Sequence, residues 1–338
     1  MGPAGQGIAP DDRPEVLRYP DDARIPGDHL PDLLTLTASA SIGHRFTRLG
    51  DLRVAMAVDP DELRELVDRA LTEDAPSGDL TTRLTIAEDA RCRAELRARA
   101  PGVLAGTSAA QASFDLVARE DGLGDVTVEW KFDDGESIGP GDVLAVIGGP
   151  ARSVLRAERV AINFLAHLSG VATLTRAFVE TAKPAKILCT RKTIPGLRAL
   201  EREAVAAGGG TLHRASLSDA VLIKDNHLRI AGGVGPAVAK GREEGGVPVE
   251  VEVETLDELD QALLAGADRI LLDNPTPELV RDAIARVGDA ERLEISGGVT
   301  LESVQSLVAA GARVISVGRI THSAPSLDLS LEVTHADV

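Results

Sequence analysis

The sequence predicts a parallel α/β fold of barrel type, on three observations. In the C-terminal half, short apolar runs each end in a polar residue or glycine and lead into a helical stretch. The ends of those runs recur at the pace of strand–helix units. Hydrophobic residues make up 43% of the chain but aromatics only 2%, so the core must be built from Ala, Val, Leu and Ile, which suits parallel strands covered by helices. At 338 residues the chain exceeds the usual size of one domain, which favours two domains or one barrel with additions.

Up to about residue 55, Pro, Gly and Asp dominate, and the apolar patch "LPDLLTLTASA" from Leu30 has no partner segment. Residues 1–55 therefore read as a weakly ordered extension. From Asp59, "DPDELRELVDRALTED" opens with an acidic turn and repeats apolar residues at helical spacing. Between Cys92 and Ile147, "CRAELRARA", "VTVEWKF" and "GDVLAVIGG" read as β-strands joined by turns, with a helix, "FDLVARE", among them. A long helical segment, "SVLRAERVAINFLAHLSGVATLTRAFVETA", follows. Next come "AKILCTRK", "AVLIKD", "VEVEVE", "RILLDN", "RLEISGG" and "RVISVGR", ending at Arg191, Lys224, Glu252, Asp273, Ser296 and Gly318 with gaps of 33, 28, 21, 23 and 22 residues. Parallel strands require a helical crossover to return the chain, and these gaps accommodate one. An open doubly wound sheet has the same local pattern, so pattern alone prefers the barrel and leaves the open sheet in play. In a barrel, the C-terminal strand ends build the active site.

The formal net charge of -17 argues against nucleic acid or an anionic membrane as partner, since both reward basic patches. The N-terminus lacks a basic stretch followed by an apolar one, and no run is apolar enough for a membrane span. Two cysteines, Cys92 and Cys189, make no disulfide framework, so a cytoplasmic protein is expected. An anionic small substrate would need a local cationic pocket.

The strand ends supply one. Arg191, Lys192, His213, Arg214 and Lys224 follow the early strands, whereas Glu252 and Asp273 end the middle ones. Of only six lysines in the chain, two fall here. The later strands end in "SGGVT" and "SVGRITHS", and glycine before a helix N-terminus lets backbone amides approach a phosphate. Together these point to a substrate with at least two anionic ends.

Nine stretches, "LTEDAPSGDLTT", "PGVLAG", "ERVAINFLAHLSGVAT", "TRKTIPGLRALEREAVAAGGGTLHR", "LSDAVLIKDNH", "VEVEVETLDEL", "ILLDN", "EISGGVT" and "SVGRITHS", run in order from Leu71 to Ser323. In them the chain resembles the quinolinate phosphoribosyltransferases, also called nicotinate-nucleotide pyrophosphorylases (carboxylating). The resemblance implies an α/β sandwich domain over residues 56–165, rejoined by the C-terminal 323–338, and an incomplete parallel α/β barrel over 166–322. It implies a pentosyltransferase of NAD biosynthesis that joins quinolinate to phosphoribosyl pyrophosphate and releases pyrophosphate and carbon dioxide, with Mg2+ as the metal, acting as a homodimer with shared sites. Carried onto this chain, Arg191, His213, Arg214 and Lys224 hold the quinolinate carboxylates, with Thr190 beside them and Arg159 arriving from the partner subunit. Lys192 faces the phosphoribosyl donor. Glu252 and Asp273 sit near the ribose and the metal, directly or through water or substrate, and Ser296, Gly297, Gly298, Gly318 and His322 cradle phosphate. Lys224, Glu252 and Asp273 are the expected catalytic residues.

Arg319 departs from the family's usual small residue after the late glycine. His167, His227 and Cys189 are expected to be structural. A molybdate-uptake-associated paralogue shares parts of the signature, but the intact "LIKDNH" speaks against it. A Schiff-base aldolase using Lys224 is the other alternative.

Overall fold

A computed structural model describes residues 58–243 and 247–337. The extension expected over residues 1–55 lies outside them. Helix α1 (Pro60–Asp74) opens where the sequence expects it, because the Asp59 carboxylate accepts from the backbone N–H groups of Asp61 and Glu62 and Pro60 occupies the first turn. After α2 (Leu80–Thr85) come β1 (Arg91–Ala98), β2 (Gly102–Val103), α3 (Thr107–Asp121), β3 (Thr127–Trp130), β4 (Ser137–Ile138), β5 (Val143–Pro150) and α4 (Ala151–Thr181). Strand β1 alternates cleanly, burying Cys92, Ala94, Leu96 and Ala98 and turning its arginines outward.

The chain then alternates strand and helix through β6 (Lys186–Leu188), α5 (Arg198–Ala207), β7 (Val221–Ile223), α6 (Asp225–Ala231), α7 (Val234–Glu243), β8 (Val249–Val253), α8 (Leu256–Leu264), β9 (Arg269–Asp273), α9 (Pro277–Val287), β10 (Leu293–Ser296), α10 (Leu301–Ala309), β11 (Val314–Ser316) and α11 (Arg319–His322), and closes with β12 (Leu329–Asp337). All six apolar runs become strands of one parallel sheet, ordered β6-β11-β10-β9-β8-β7. The first strand pairs with the last and the others follow in sequence, the order of a sheet curled into a barrel. An open doubly wound sheet would instead show a switch point. Among the described residues no ladder joins β6 to β7, so the barrel is incomplete; one parallel bridge, Leu188 with Thr211, extends the β6 edge.

A second, antiparallel sheet has the order β12-β1-β5-β3. Helix α4 packs on strands of both sheets, so the boundary expected at 165/166 falls within one continuous helix of 31 residues. Its Leu165, Leu168 and Phe178 are fully or almost fully buried, and each such side chain contributes roughly 1.5–3 kcal/mol of transfer free energy. The C-terminal segment crosses this helix closely: the Leu327 N–H donates to the Ala166 carbonyl at 2.9 Å. A Cβ at Gly170 would lie 2.1 Å from the Pro325 carbonyl oxygen. Gly170→Ala is therefore expected to destabilise the protein by about 1–3 kcal/mol. A lowered midpoint in urea, with the slope unchanged, checks this.

Candidate active site

The alternation of the parallel strands sets which side chains face the barrel axis. In β8, Val249, Val251 and Val253 are buried, and Glu250 and Glu252 share the opposite face. Glu252 is the nearer of the two to the C-terminal end, and there it forms an ion pair with Lys224, the residue that follows β7. The Lys224 backbone N–H donates to Nδ1 of His227 at 2.9 Å, so His227 caps the start of α6. Its partner is thus a carboxylate, and not the apolar pocket or neighbouring cation that activates a lysine for Schiff-base chemistry.

Beyond β6, Thr190 Oγ1 accepts from the Lys192 backbone N–H at 3.0 Å. This turn sets Arg191 and Lys192 on the rim. Arg191 is half-buried and its Nε has no partner, while Lys192 is exposed. Arg214 is buried and donates from Nη1 to the Ala220 carbonyl at 3.0 Å. Burial, and then the nearby Arg191 charge, lower its pKa, and a cation under that repulsion favours an anion between the two guanidinium groups. Asp273 stands in register with Ser296 across β9 and β10. Its Oδ2 accepts from Asn274 Nδ2 at 2.6 Å.

The late glycines serve close approach. Gly297 has φ +93°, and a Cβ there would meet Asn274 Oδ1 at 2.3 Å; the adjoining Gly298 also has positive φ, +55°. At Gly318 a Cβ would fall 3.0 Å from Lys192 and 3.3 Å from His322 Nε2, so these three residues adjoin one another. Thr321 Oγ1 ties the same corner together by donating to the Lys192 carbonyl at 2.7 Å. Arg319 is exposed and acts on Glu302 of α10, helping to lower its pKa after hydrogen bonds from Thr300 and its own backbone. Arg159 is exposed on α4, beside a groove lined by Asn163, Ser326 and Asp328, with no salt-bridge partner among the described residues. A larger groove of about 770 Å³ runs between α1 and α5, and none of the candidate residues lines it.

His213 sits lower, against a charged layer that sequence reasoning missed. Its Nε2 lies 3.4 Å from Glu250 and 3.5 Å from Glu294. Arg269 approaches the same two carboxylates at 3.5 and 3.7 Å. Burial alone would lower the His213 pKa, but hydrogen bonds and charge from the two glutamates reverse this and push it up to about 9. The Arg214 backbone N–H, 2.8 Å from Nδ1, suits the neutral ring; two buried carboxylate charges outweigh that single amide dipole, so the charged ring is favoured at neutral pH. A folded pKa above the unfolded value of about 6.5 gives stability that is fully present below pH 6.5 and lost as pH rises through about 9. The melting-temperature advantage of wild type over His213→Gln is therefore expected to shrink between pH 6.5 and 9.5, as thermal scans across that range would show.

Two further expectations concern structural residues. His167 Nε2 bonds the fully buried Glu201 at 2.8 Å, and Glu201 also accepts from the Ile194 N–H at 3.2 Å, which ties α4 to the loop after Lys192. Cys189 is fully buried. Glu252, paired with Lys224, and Asp273 stand near the C-terminal ends of adjacent strands β8 and β9, carboxylates that suit a magnesium ion that keeps most of its waters and shares substrate phosphate oxygens. The one three-residue group of candidate metal ligands among the described residues is His213, Glu250 and Glu294, and Arg269 already places a cation against it.

A curled parallel sheet with cations, carboxylates and glycine-bounded loops at its C-terminal strand ends defines an α/β-barrel enzyme for small anionic substrates. Family models narrow that class. Residues 79–169 match the quinolinate phosphoribosyl transferase N-terminal domain and residues 171–332 the C-terminal domain. A probable nicotinate-nucleotide pyrophosphorylase [carboxylating] of Bacillus subtilis is 40% identical over 277 residues, covering 81% of this chain and 94% of its own. Quinolinate phosphoribosyltransferase [decarboxylating] 2b, mitochondrial, of Nicotiana tabacum is 36% identical over 316 residues, covering 87% and 89%. The structure of the nicotinate-nucleotide pyrophosphorylase from Francisella tularensis superposes with a TM-score of 0.77 at 38% identity, covering 82% of this chain and 98% of that one. The chain belongs to the quinolinate phosphoribosyltransferase family.

Proposed function

We propose that the chain transfers the phosphoribosyl group of phosphoribosyl pyrophosphate to quinolinate, with decarboxylation, giving nicotinate mononucleotide, pyrophosphate and carbon dioxide. The observation that carries this reading is the approach of Arg191 to the buried Arg214 within a chain of net charge -17, with a third cation, Lys224, just after β7. Quinolinate carries two carboxylates and its co-substrate several phosphate charges, so joining them in one pocket requires concentrated positive charge. Arg191, Arg214 and His213 bind the carboxylates, with Thr190 setting the turn; Lys224 adds a compact charge. Lys192, with Ser296, Gly297, Gly298, Gly318 and His322, holds the phosphates. Glu252 and Asp273 face the ribose.

The pyridine nitrogen attacks the anomeric carbon as the bond to pyrophosphate breaks, and the electron pair leaves on the pyrophosphate oxygen. Glu252 and Asp273 stabilise the positive charge that develops on the sugar. Once the ring nitrogen is quaternary, the adjacent carboxylate departs as carbon dioxide. The electron pair left on the ring carbon is held beside the positive nitrogen until a proton fills it. Bound magnesium supplies charge neutralisation of the pyrophosphate. We further propose a homodimer in which Arg159 completes the partner's site, and a cytoplasmic location, which suits two free and isolated cysteines.

The test compares quinolinate with nicotinate, which lacks one carboxylate. A buried cation left without its partner costs about 2–5 kcal/mol, so kcat/KM for nicotinate is expected to be lower by roughly 30-fold to several thousand-fold. Comparable values for the two acids, or no carbon dioxide from carboxyl-labelled quinolinate, would overturn the reading.

A further inference from the structure

Three charged side chains interrupt the apolar strands of the barrel below its mouth: Glu250 in β8, Arg269 in β9 and Glu294 in β10. Glu250 and Glu294 are 6% and 1% exposed. Burying such groups is expensive, and apolar residues of similar volume often serve stability as well or better. Packing alone therefore gives no reason for them.

Their geometry does. Both carboxylates converge on His213 Nε2, at 3.4 and 3.5 Å, and Arg269 closes the layer from β9. Neither Glu294 oxygen has a hydrogen-bond partner, so its interaction is one of charge with these two cations, at 3.5 and 3.7 Å. From above, Arg202 of α5 donates to the His213 carbonyl at 2.7 Å, and the His213 N–H points at Cys189 Sγ at 3.5 Å. The next residue is Arg214, whose N–H meets His213 Nδ1. The ring is thus held from β8, β10 and its own loop, its backbone from α5, and the two carboxylates in turn from β9. Two carboxylates balance Arg269 and a protonated His213, leaving a layer without net charge under the rim that does not dilute the cations of Arg191 and Arg214. A divalent ion in place of the His213 proton would face the Arg269 guanidinium across the same carboxylates.

We propose that Glu294, together with Glu250 and Arg269, is a positioning residue that orients His213 and, through the shared backbone, Arg214 for a dicarboxylate substrate. The inference rests on the reading of His213 and Arg214 as quinolinate ligands. Glu294 itself touches no substrate.

A double-mutant cycle tests it in the full-length protein. Glu294→Gln is expected to raise the KM for quinolinate about tenfold while kcat and the KM for phosphoribosyl pyrophosphate stay within about twofold. His213→Gln raises the quinolinate KM at least as much, and the double variant is no worse than His213→Gln alone, because Glu294 has then lost the group it acts through. Glu294→Asp, which keeps the charge, recovers most of the loss. In histidine-labelled protein, the 15N shifts of the His213 ring change in Glu294→Gln and return toward wild type in Glu294→Asp. Additive effects in the double variant, or an equal rise in the KM for both substrates, overturn the positioning role and leave the function standing. An unchanged quinolinate KM in His213→Gln overturns the ligand assignment and the inference together. Should Glu294→Gln fail to fold, Glu250→Gln, which removes the other carboxylate facing His213 Nε2, carries the same cycle with His213→Gln.

Discussion

Lys224→Ala is expected to abolish quinolinate-dependent release of carbon dioxide, lowering kcat/KM by about a thousandfold or more, since removing one member of a charge cluster that engages a desolvated anion costs about 2–5 kcal/mol in binding alone and a carboxylate left misaligned for departure adds to it. The side chain is about two-fifths exposed and its partner Glu252 is mostly covered, so the substitution strands a carboxylate at the mouth without opening the core. Thermal melting should move by only a few degrees, because Lys224 lies beyond β7 and is no part of the buried apolar face. Lys224→Arg should remain poor, as a planar fork does not reproduce a compact ammonium. Near-wild-type turnover in Lys224→Ala with unchanged melting would mean that the strand-end cations do not hold the substrate.

Much of this architecture is readable from the sequence because its signals are local. Each apolar run from "AKILCTRK" to "RVISVGR" becomes a strand, since a run bounded by glycine or charge at a spacing of 21–33 residues leaves few alternatives. Asp59 and Pro60 mark the start of α1 for the same reason. What local pattern could not decide was barrel against open sheet, which depends on the pairing of β6 with β11, two strands more than a hundred residues apart. The pairing of β12 with β1 is equally long-range.

The charged layer at Glu250, Arg269 and Glu294 escaped for a different reason. Attention to the strand ends favoured Glu252 and Asp273, and the mid-strand charges read as parts of "VEVEVE", "RILLDN" and "RLEISGG". A signal was present: parallel strands covered on both faces run nearly continuously apolar, so an acidic residue with apolar neighbours inside such a strand marks either the barrel axis or an error in the strand assignment. His213 was found as a cation, but its depth in the barrel follows from the alternation of β8 and β10, which fixes Glu250 and Glu294 below Glu252 and Ser296.

Arg159 provides the most demanding test of the quaternary proposal. It lies on α4 immediately before the largely apolar run "VAINFLAHL", and it stands exposed beside Asn163, one turn along the same face, while Val160, Ile162 and Phe164 are buried. Its side chain borders the groove formed with residues 326–329 rather than any strand end of its own barrel. Among the described residues this guanidinium makes no salt bridge, although Asp328 lines the same groove, and in a two-fold dimer each subunit would deliver it to the other and receive one back. Arg159→Ala and Lys224→Ala are then each inactive for separate reasons, one in the donated half of the site and one in the receiving half. Mixed in equal amounts, dissociated and allowed to reassociate at random, the two variants form heterodimers in about half of the population by symmetric pairing. In each heterodimer one site combines an intact Lys224 with an intact Arg159, and the other lacks both. Activity is expected to return to roughly one quarter of the wild-type level, the value that random two-fold pairing dictates. Heterodimer formation is verified by mass-tagging one variant. If heterodimers form and activity stays at the level of the separate variants, Arg159 does not complete the partner's site.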